Sequence, residues 1–285
     1  MNLQEAALEI REIIKKRQEE LGLTFEEDRH IYTMRDVDGT LRNDFPSVSK
    51  VLKSFYKEFP GEEIANRKSG GNPQETERLL KEWSDAGEYA AHMGSRVHYL
   101  LEKTAIESNG NYKEVRQPIF DCDIIQTMKS DSMVIGGNKY LKLLEERGAV
   151  LLDTEIILGD DELGYVGQPD KIWLILNKEK TEISLFITDW KTNKVKNFQE
   201  TRYTKRLLKP FEKHPDTSLG HYYLQLPLYG KLLLKMLKGS KYENIKLLGC
   251  IIVHLTDDSD YTEYRVPVEV INTVMTMNVK DYLDK

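Results

Sequence analysis

Residues 167–191 read GQPDKIWLILNKEKTEISLFITDWK. Two apolar, strand-like runs, 172–176 and 183–187, carry charge at their ends: Asp170 before the first, Asp189 and Lys191 after the second. A pattern of this kind gathers two carboxylates and one ammonium at an edge of a sheet. Strand side chains alternate, so Trp190 points to one face while Asp189 and Lys191 share the other. An Asp-x-Lys at a strand end is ordinarily a solvated ion pair of little energetic consequence. Here the apolar residues before it suggest that its face begins inside the molecule, where unpaired charge is costly. Two carboxylates beside an amine can hold a divalent cation and stabilise developing charge, which is the chemistry that phosphodiester hydrolysis needs.

Working outward, the chain of 285 residues is 40% apolar and 31% charged, a composition suited to one large or two small globular domains. No apolar run approaches the roughly 20 residues that span a bilayer, and the charge-rich N-terminus lacks the apolar core of a signal peptide. A cytoplasmic protein is the resulting expectation. Cys122 and Cys250 stand far apart in no metal-ligand spacing, so they build neither a zinc site nor a four-cysteine iron–sulfur cluster. A net charge of −6 argues against indiscriminate binding of nucleic acid but leaves room for a local basic channel. Between Lys191 and Lys213 there are eight Lys or Arg against two Glu, with Tyr203 and Phe211 interleaved. Lys194, Lys196, Arg202, Lys205, Arg206 and Lys209 are the candidates for contact with phosphates.

The periodicity predicts an amphipathic helix over 3–21, a hairpin over 25–42 turning at Asp38-Gly39, and a helix over 48–55 started by Pro46-Ser47. A long helical region over about 75–107 follows the break at 69–71, and another helix runs over 124–146 through Gly136-Gly137. Strands are expected over 149–158, 165–176 and 183–190, then a helix over 218–238, strands over 246–254 and 261–266, and a C-terminal helix. This order describes a compact mixed α/β core. Residues 1–120 form a helical region with a short hairpin packed on a core of 121–285, the whole forming one integrated unit.

Further features converge on the same site. His98 follows Gly94-Ser95-Arg96-Val97 on the long helix, with Glu102 one turn on. Glu155 lies in the strand before Asp170, and Gln225 and Tyr229 are four apart on a later helix, where Pro227 between them removes a helical hydrogen bond. The series Gly94-x-x-x-His98, Gly167-x-x-Asp170, Asp189-Trp190-Lys191 and Gln225-x-x-x-Tyr229 resembles the motifs of RecB-type PD-(D/E)xK nucleases. The segment Phe45-Pro46-Ser47-Val48-Ser49-Lys50-Val51-Leu52, with Trp83, extends the likeness to stand-alone members of the bacteriophage and mitochondrial genome-maintenance exonuclease type, over most of residues 45–255.

The resemblance implies a restriction-endonuclease-like fold, a mixed central sheet flanked by helices, with an N-terminal helical layer. It implies that Asp170 and Asp189 bind a catalytic Mg²⁺ or Mn²⁺ (one ion or two) with His98 and the Trp190 carbonyl, and more weakly Glu155. Lys191 would orient the attacking water or stabilise charge, and Gln225 and Tyr229 would position Lys191 and the scissile phosphate, Tyr229 contacting the strand. With two cysteines the chain belongs with members free of an iron–sulfur cluster, and no Gly-x-x-x-x-Gly-Lys-Ser/Thr loop marks a nucleotide-binding module. The expected activity is a metal-dependent exonuclease on single-stranded DNA ends, with replication or recombination proteins as partners and Tyr203 or Phe211 stacking on bases. An inactive DNA-end-binding or assembly subunit, a structure-specific endonuclease of the same fold and a small-phosphoester hydrolase are the alternatives.

Overall fold

The computed structural model describes residues 2–26, 29–110, 112–179, 181–202 and 204–283. The chain opens with α1 (Leu3–Leu21), three short strands β1 (Thr24–Glu26), β2 (Ile31–Arg35) and β3 (Leu41–Arg42), and three helices α2 (Val48–Leu52), α3 (Gly61–Lys68) and α4 (Pro73–Ser108). It continues through α5 (Ile124–Glu146), β4 (Val150–Thr154), β5 (Leu158–Asp160), β6 (Tyr165–Gly167), β7 (Lys171–Leu176) and β8 (Ile183–Lys191). The last part holds α6 (Ser218–Met236), β9 (Lys246–Thr256), β10 (Asp260–Arg265), α7 (Val268–Thr276) and α8 (Lys280–Leu283).

Local chemistry sets the helix ends. The Asn2 side chain accepts from the backbone N–H groups of Gln4 and Glu5 at the start of α1, and Gly22 ends that helix at φ 58, a left-handed conformation that glycine adopts at no steric cost. Asp123 and Gln126 form a reciprocal capping box at the start of α5. The adjacent glycines inside α5 are there for contact. A Cβ on Gly136 would lie 2.5 Å from the Asp260 carbonyl oxygen, and one on Gly137 would lie 2.4 Å from Leu101, so they let α5 close on β10 and α4.

The chain is a mixed α/β structure. Its central sheet has the order β10–β9–β8–β7–β4, with β8 and β9 parallel and every other neighbour antiparallel. Helix α6 makes the crossover between the parallel pair, as such a pair requires. The two faces of β8 split cleanly. Leu185 and Ile187 join α1, α2, α6 and α7 in the larger core cluster, while Phe186 and Trp190 join α4 and α5 in the second. Residues 1–120 therefore supply helices to both faces of the sheet rather than forming one layer on it. Among the described residues no helix is long and apolar enough to cross a membrane.

Three departures from the sequence reading matter. The strands expected over 149–158 and 165–176 are each broken in two, at Glu155 and at Gln168-Pro169-Asp170. The expected hairpin over 25–42 is a three-stranded sheet, because the chain also reverses between β1 and β2. Helix α3 is not foreseen by the periodicity; with only Ala65 buried, it has little apolar face to detect.

Candidate active site

Both broken strands break at the same place. Strands β7 and β8 pair antiparallel up to Lys171 opposite Thr188, so Asp170, one residue before β7, meets the end of β8 that carries Asp189, Trp190 and Lys191. On the other side of β7, Thr154 at the end of β4 pairs with Lys171, and Glu155 follows it. The Glu155 backbone takes φ 45, a left-handed value uncommon for a glutamate, while its N–H donates to the Asp170 carbonyl at 3.2 Å. Gln168 Nε2 donates to the Glu155 carbonyl at 2.9 Å and ties the two breaks together. Helix α4 crosses this sheet edge and adds His98. Its Gly94 sits where a Cβ would lie 3.3 Å from Thr192, just past Lys191, which accounts for the small residue one turn before the histidine.

His98, Glu155 and Asp170 bring ligand atoms within 4.8 Å of one another. His98 Nδ1 lies 3.2 Å from Asp170 Oδ2, its Nε2 lies 3.0 Å from the Trp190 carbonyl oxygen, and the Trp190 N–H donates to Asp170 Oδ2 at 3.1 Å. Asp189 stands outside that trio. Its carboxylate is bound at 2.7 Å by the Lys191 ammonium and faces Asp170. Glu155, a weak member of the sequence-derived set, thus belongs with His98 and Asp170, while Asp189 joins through Asp170 and Lys191.

The charges are tightly linked. Burial and the neighbouring Asp170 push Asp189 up to about 8. Burial also opposes ionisation of Asp170, but His98, Lys191 and Lys171 outweigh it and hold that carboxyl at about 2. The pair therefore shares one proton at neutral pH. Burial, then Asp170, raises Glu155 well above the ordinary carboxylate range. Burial works against the charge on Lys191 as well, yet Asp189 and Asp170 prevail and raise its pKa, so it stays an ammonium. Burial lowers the pKa of His98 and favours the neutral ring that ligates metals.

Helix α6 closes the site from the other core. It continues through Pro227, and Gln225 Nε2 donates to the Tyr229 hydroxyl at 3.0 Å, so the two residues do face the same way. A Cβ on Gly167 would lie 2.6 Å from Cε1 of Tyr229 and 2.7 Å from Val48. Glycine at 167 is what lets the Tyr229 ring approach the chain three residues before Asp170. Segment 45–52 is fixed to the same strand: the Val166 N–H donates to the Pro46 carbonyl at 3.1 Å, and Ser47 caps α2.

The basic segment after Lys191 is less open than its composition suggests. Lys194, Lys196, Arg202, Lys205, Arg206 and Lys209 are exposed, but Arg206 pairs with Glu200 at 2.8 Å and Arg202 is also engaged. Phe198, Leu207 and Phe211 are buried beneath them. Phe211 packs edge-on against Phe55 at 5.1 Å, which removes it as a base-stacking ring. The apolar residues anchoring this loop resemble, in sequence, aromatics interleaved for binding. Tyr203 lies outside the described residues.

Three residues escape the sequence reading. Lys171 is 2% exposed, its Nζ 5.1 Å from the centre of the Trp190 ring; burial lowers its pKa against the opposing pull of Asp170, Glu155, Glu102 and Asp189. A lysine adjoining the key aspartate at a strand start was the available signal. Tyr222 places its ring 4.4 Å under the Lys191 ammonium and donates to Asn193 Oδ1 at 3.0 Å. It lies three residues before Gln225, at helical spacing on the same face. Buried His254 holds the Asn193 carbonyl through Nε2 at 2.6 Å, pinning the chain just beyond Lys191. Glu102, one turn past His98, turns away to the Thr154 hydroxyl at 2.6 Å and to Lys113 at 3.7 Å, a supporting contact. No protein-family model matches this chain, and no curated protein matches it.

Proposed function

We propose that this chain is a metal-dependent DNA nuclease with a PD-(D/E)xK-type core, acting on single-stranded ends. The observation that carries the reading is the meeting, at one sheet edge, of His98 from α4, Glu155 after β4, Asp170 before β7, and Asp189 with a half-buried, charged Lys191 from β8. The sheet order, with an antiparallel β7–β8 pair and α6 crossing to a parallel β9, supports the same fold assignment. One imidazole nitrogen among carboxylate and carbonyl oxygens is a hard donor set, suited to Mg²⁺ or Mn²⁺. Acids that are buried or half-buried and outnumber the neighbouring lysines fit a bound cation.

His98, Asp170 and Glu155 would hold the ion, with Asp189 and the Trp190 carbonyl beside it. When bound, it would supply Lewis-acid stabilisation of the phosphodiester oxygens and a more acidic water. Lys191 is an ammonium and cannot take a proton, so its part is to neutralise the charge that grows on the phosphoryl oxygens. Tyr222 beneath it and Asp189 beside it fix where that charge sits. The Tyr229 hydroxyl, kept protonated by burial and oriented by Gln225, is a donor for a phosphate oxygen. The exposed lysines of 194–209 would track the rest of the backbone electrostatically.

The test is cleavage of end-labelled linear and covalently closed circular DNA, single- and double-stranded, with Mg²⁺ or Mn²⁺ and Lys191→Ala as the control. Loss of linear single strands with circles spared is the expected outcome. Cut circles would make the protein an endonuclease. Binding without cleavage of any substrate would replace the enzyme reading with that of an end-binding subunit.

A further inference from the structure

The cleft above the metal group has aromatic walls that the catalytic reading leaves unused. It encloses about 570 Å³ between the β1–β2 hairpin and α4, and its lining includes Phe25, His30 and Tyr99 together with His98 and Glu155. A ligand in this cleft therefore touches two members of the metal group. We propose that it is a nucleobase subsite, in which Phe25 and Tyr99 stack on a base of the strand being cut; this rests on the nuclease reading and names how the substrate is gripped.

Phe25 is built as a platform. Its ring stacks on Tyr32 at 4.3 Å with 25° between planes, and Tyr32 is buried in a small cluster with Leu21, Leu23, Met34 and Val166. Because Val166 belongs to the strand bonded to Pro46 and followed by Asp170, the platform is tied to the catalytic edge. His30 braces Phe25 edge-on at 5.2 Å and Tyr32 at 5.7 Å, from a left-handed backbone at φ 52. On the opposite wall Tyr99 directly follows His98 on α4 and lies 6.2 Å from the Phe120 ring.

Electrostatics favours a base over a phosphate here. Three carboxylates, Glu102, Glu114 and Glu155, line the cleft against Lys113 and Arg116, so it offers no excess of positive charge. The Lys113 ammonium is already shared among Asp153 at 3.1 Å, Glu102 at 3.7 Å and the Thr154 carbonyl. An uncharged aromatic surface fits the walls, and every base has one. The volume falls within the range of small-ligand pockets, roughly 300–1,000 Å³.

The experiment scans one abasic nucleotide along a short 5′-labelled single-stranded DNA and measures binding with Mn²⁺ in a Lys191→Ala background, so that the strand is not consumed. At one position, loss of the base should weaken binding about 5- to 160-fold, the range of a base–aromatic stack. Phe25→Leu, which keeps apolar packing on Tyr32, and separately Tyr99→Leu, should weaken the intact strand and shrink that abasic penalty toward one. An abasic penalty at no position, or one undiminished in both variants, overturns the subsite while leaving the nuclease reading standing. Failure of the parent protein to bind any strand overturns both.

Discussion

Metal binding should expel protons, and the structure says how many. Asp170 and Asp189 share one proton, with Asp189 pushed up to about 8 and Asp170 held at about 2. At pH 7 a site with its midpoint at about 8 is about 0.9 occupied. A cation entering beside both carboxylates must displace that proton, because ligating carboxylates are ionised. Burial lowers His98 and leaves its ring neutral at this pH, so it adds none. The expected release is therefore at least about 0.9 proton per Mn²⁺ at pH 7. The apparent Kd should tighten about tenfold per pH unit and level off above about 8. The sign for stability follows. Asp189 is raised from its ordinary 3.8, so its contribution to the metal-free fold is full below that value and is lost as pH rises through about 8. Asp170 is lowered, so its contribution is present above 3.8 and lost as pH falls toward 2. Calorimetric titration of Mn²⁺ in buffers of low and high ionisation enthalpy counts the protons directly. Asp189→Asn should lower the count by about 0.9. Release below about 0.3 proton, or a count unmoved by Asp189→Asn, would refute the shared-proton reasoning.

Lys191→Ala should cut turnover by about 10²–10³, the usual effect of losing a charge-stabilising donor, with the stoichiometry of Mn²⁺ unchanged; simultaneous loss of metal and DNA binding would make the lysine structural. Replacing Lys205, Arg206 and Lys209 with glutamine should flatten the salt dependence of single-strand binding by up to about 0.7 per phosphate contact, with Arg206 contributing least because Glu200 already pairs it. An unmoved slope would make this loop a solvated face. Gly167→Ala forces a methyl group to within 2.6 Å of Tyr229 and should destabilise the fold by about 1–3 kcal/mol in urea. An unchanged midpoint would refute the close approach of α6 to β6.

Elements with a strong period were legible in the sequence. Helices α1, α4, α5 and α6 and strands β8 to β10 carry apolar faces long enough to be counted, and their ends fall within a few residues of expectation. The shared face of Asp189 and Lys191 followed from alternation alone. What local pattern could not convey was interruption. Residues 149–158 read as one strand because every residue is compatible with one, and nothing in the letters announces a left-handed glutamate at 155. Phe211 misled for the opposite reason: exposed lysines around a buried ring have the composition of a binding loop, and only tertiary packing against Phe55 separates the two. Lys171 was hidden because a buried lysine makes sense only once the acids around it are in place.

The interruptions also bear on why the site exists. Lys171 opposite Thr188 is the last paired step of β7 and β8, and one step further the same register sets Asp170 across from Asp189. Like charges directly opposite on neighbouring strands are destabilising. Here Asp189 is buried and Asp170 half-buried besides, and a third carboxyl, Glu155, arrives through a backbone conformation that is itself uncommon. The Lys191 ammonium and one shared proton offset part of this repulsion. As a device for joining strands the arrangement is poor, and an asparagine at either aspartate position would relieve it. A divalent cation held by the same groups, as proposed above, would remove the repulsion and use it, since the acids that destabilise this sheet edge would be its ligands. The cost in stability and the proposed catalysis thus have one origin, which is why proton release on metal binding tests both.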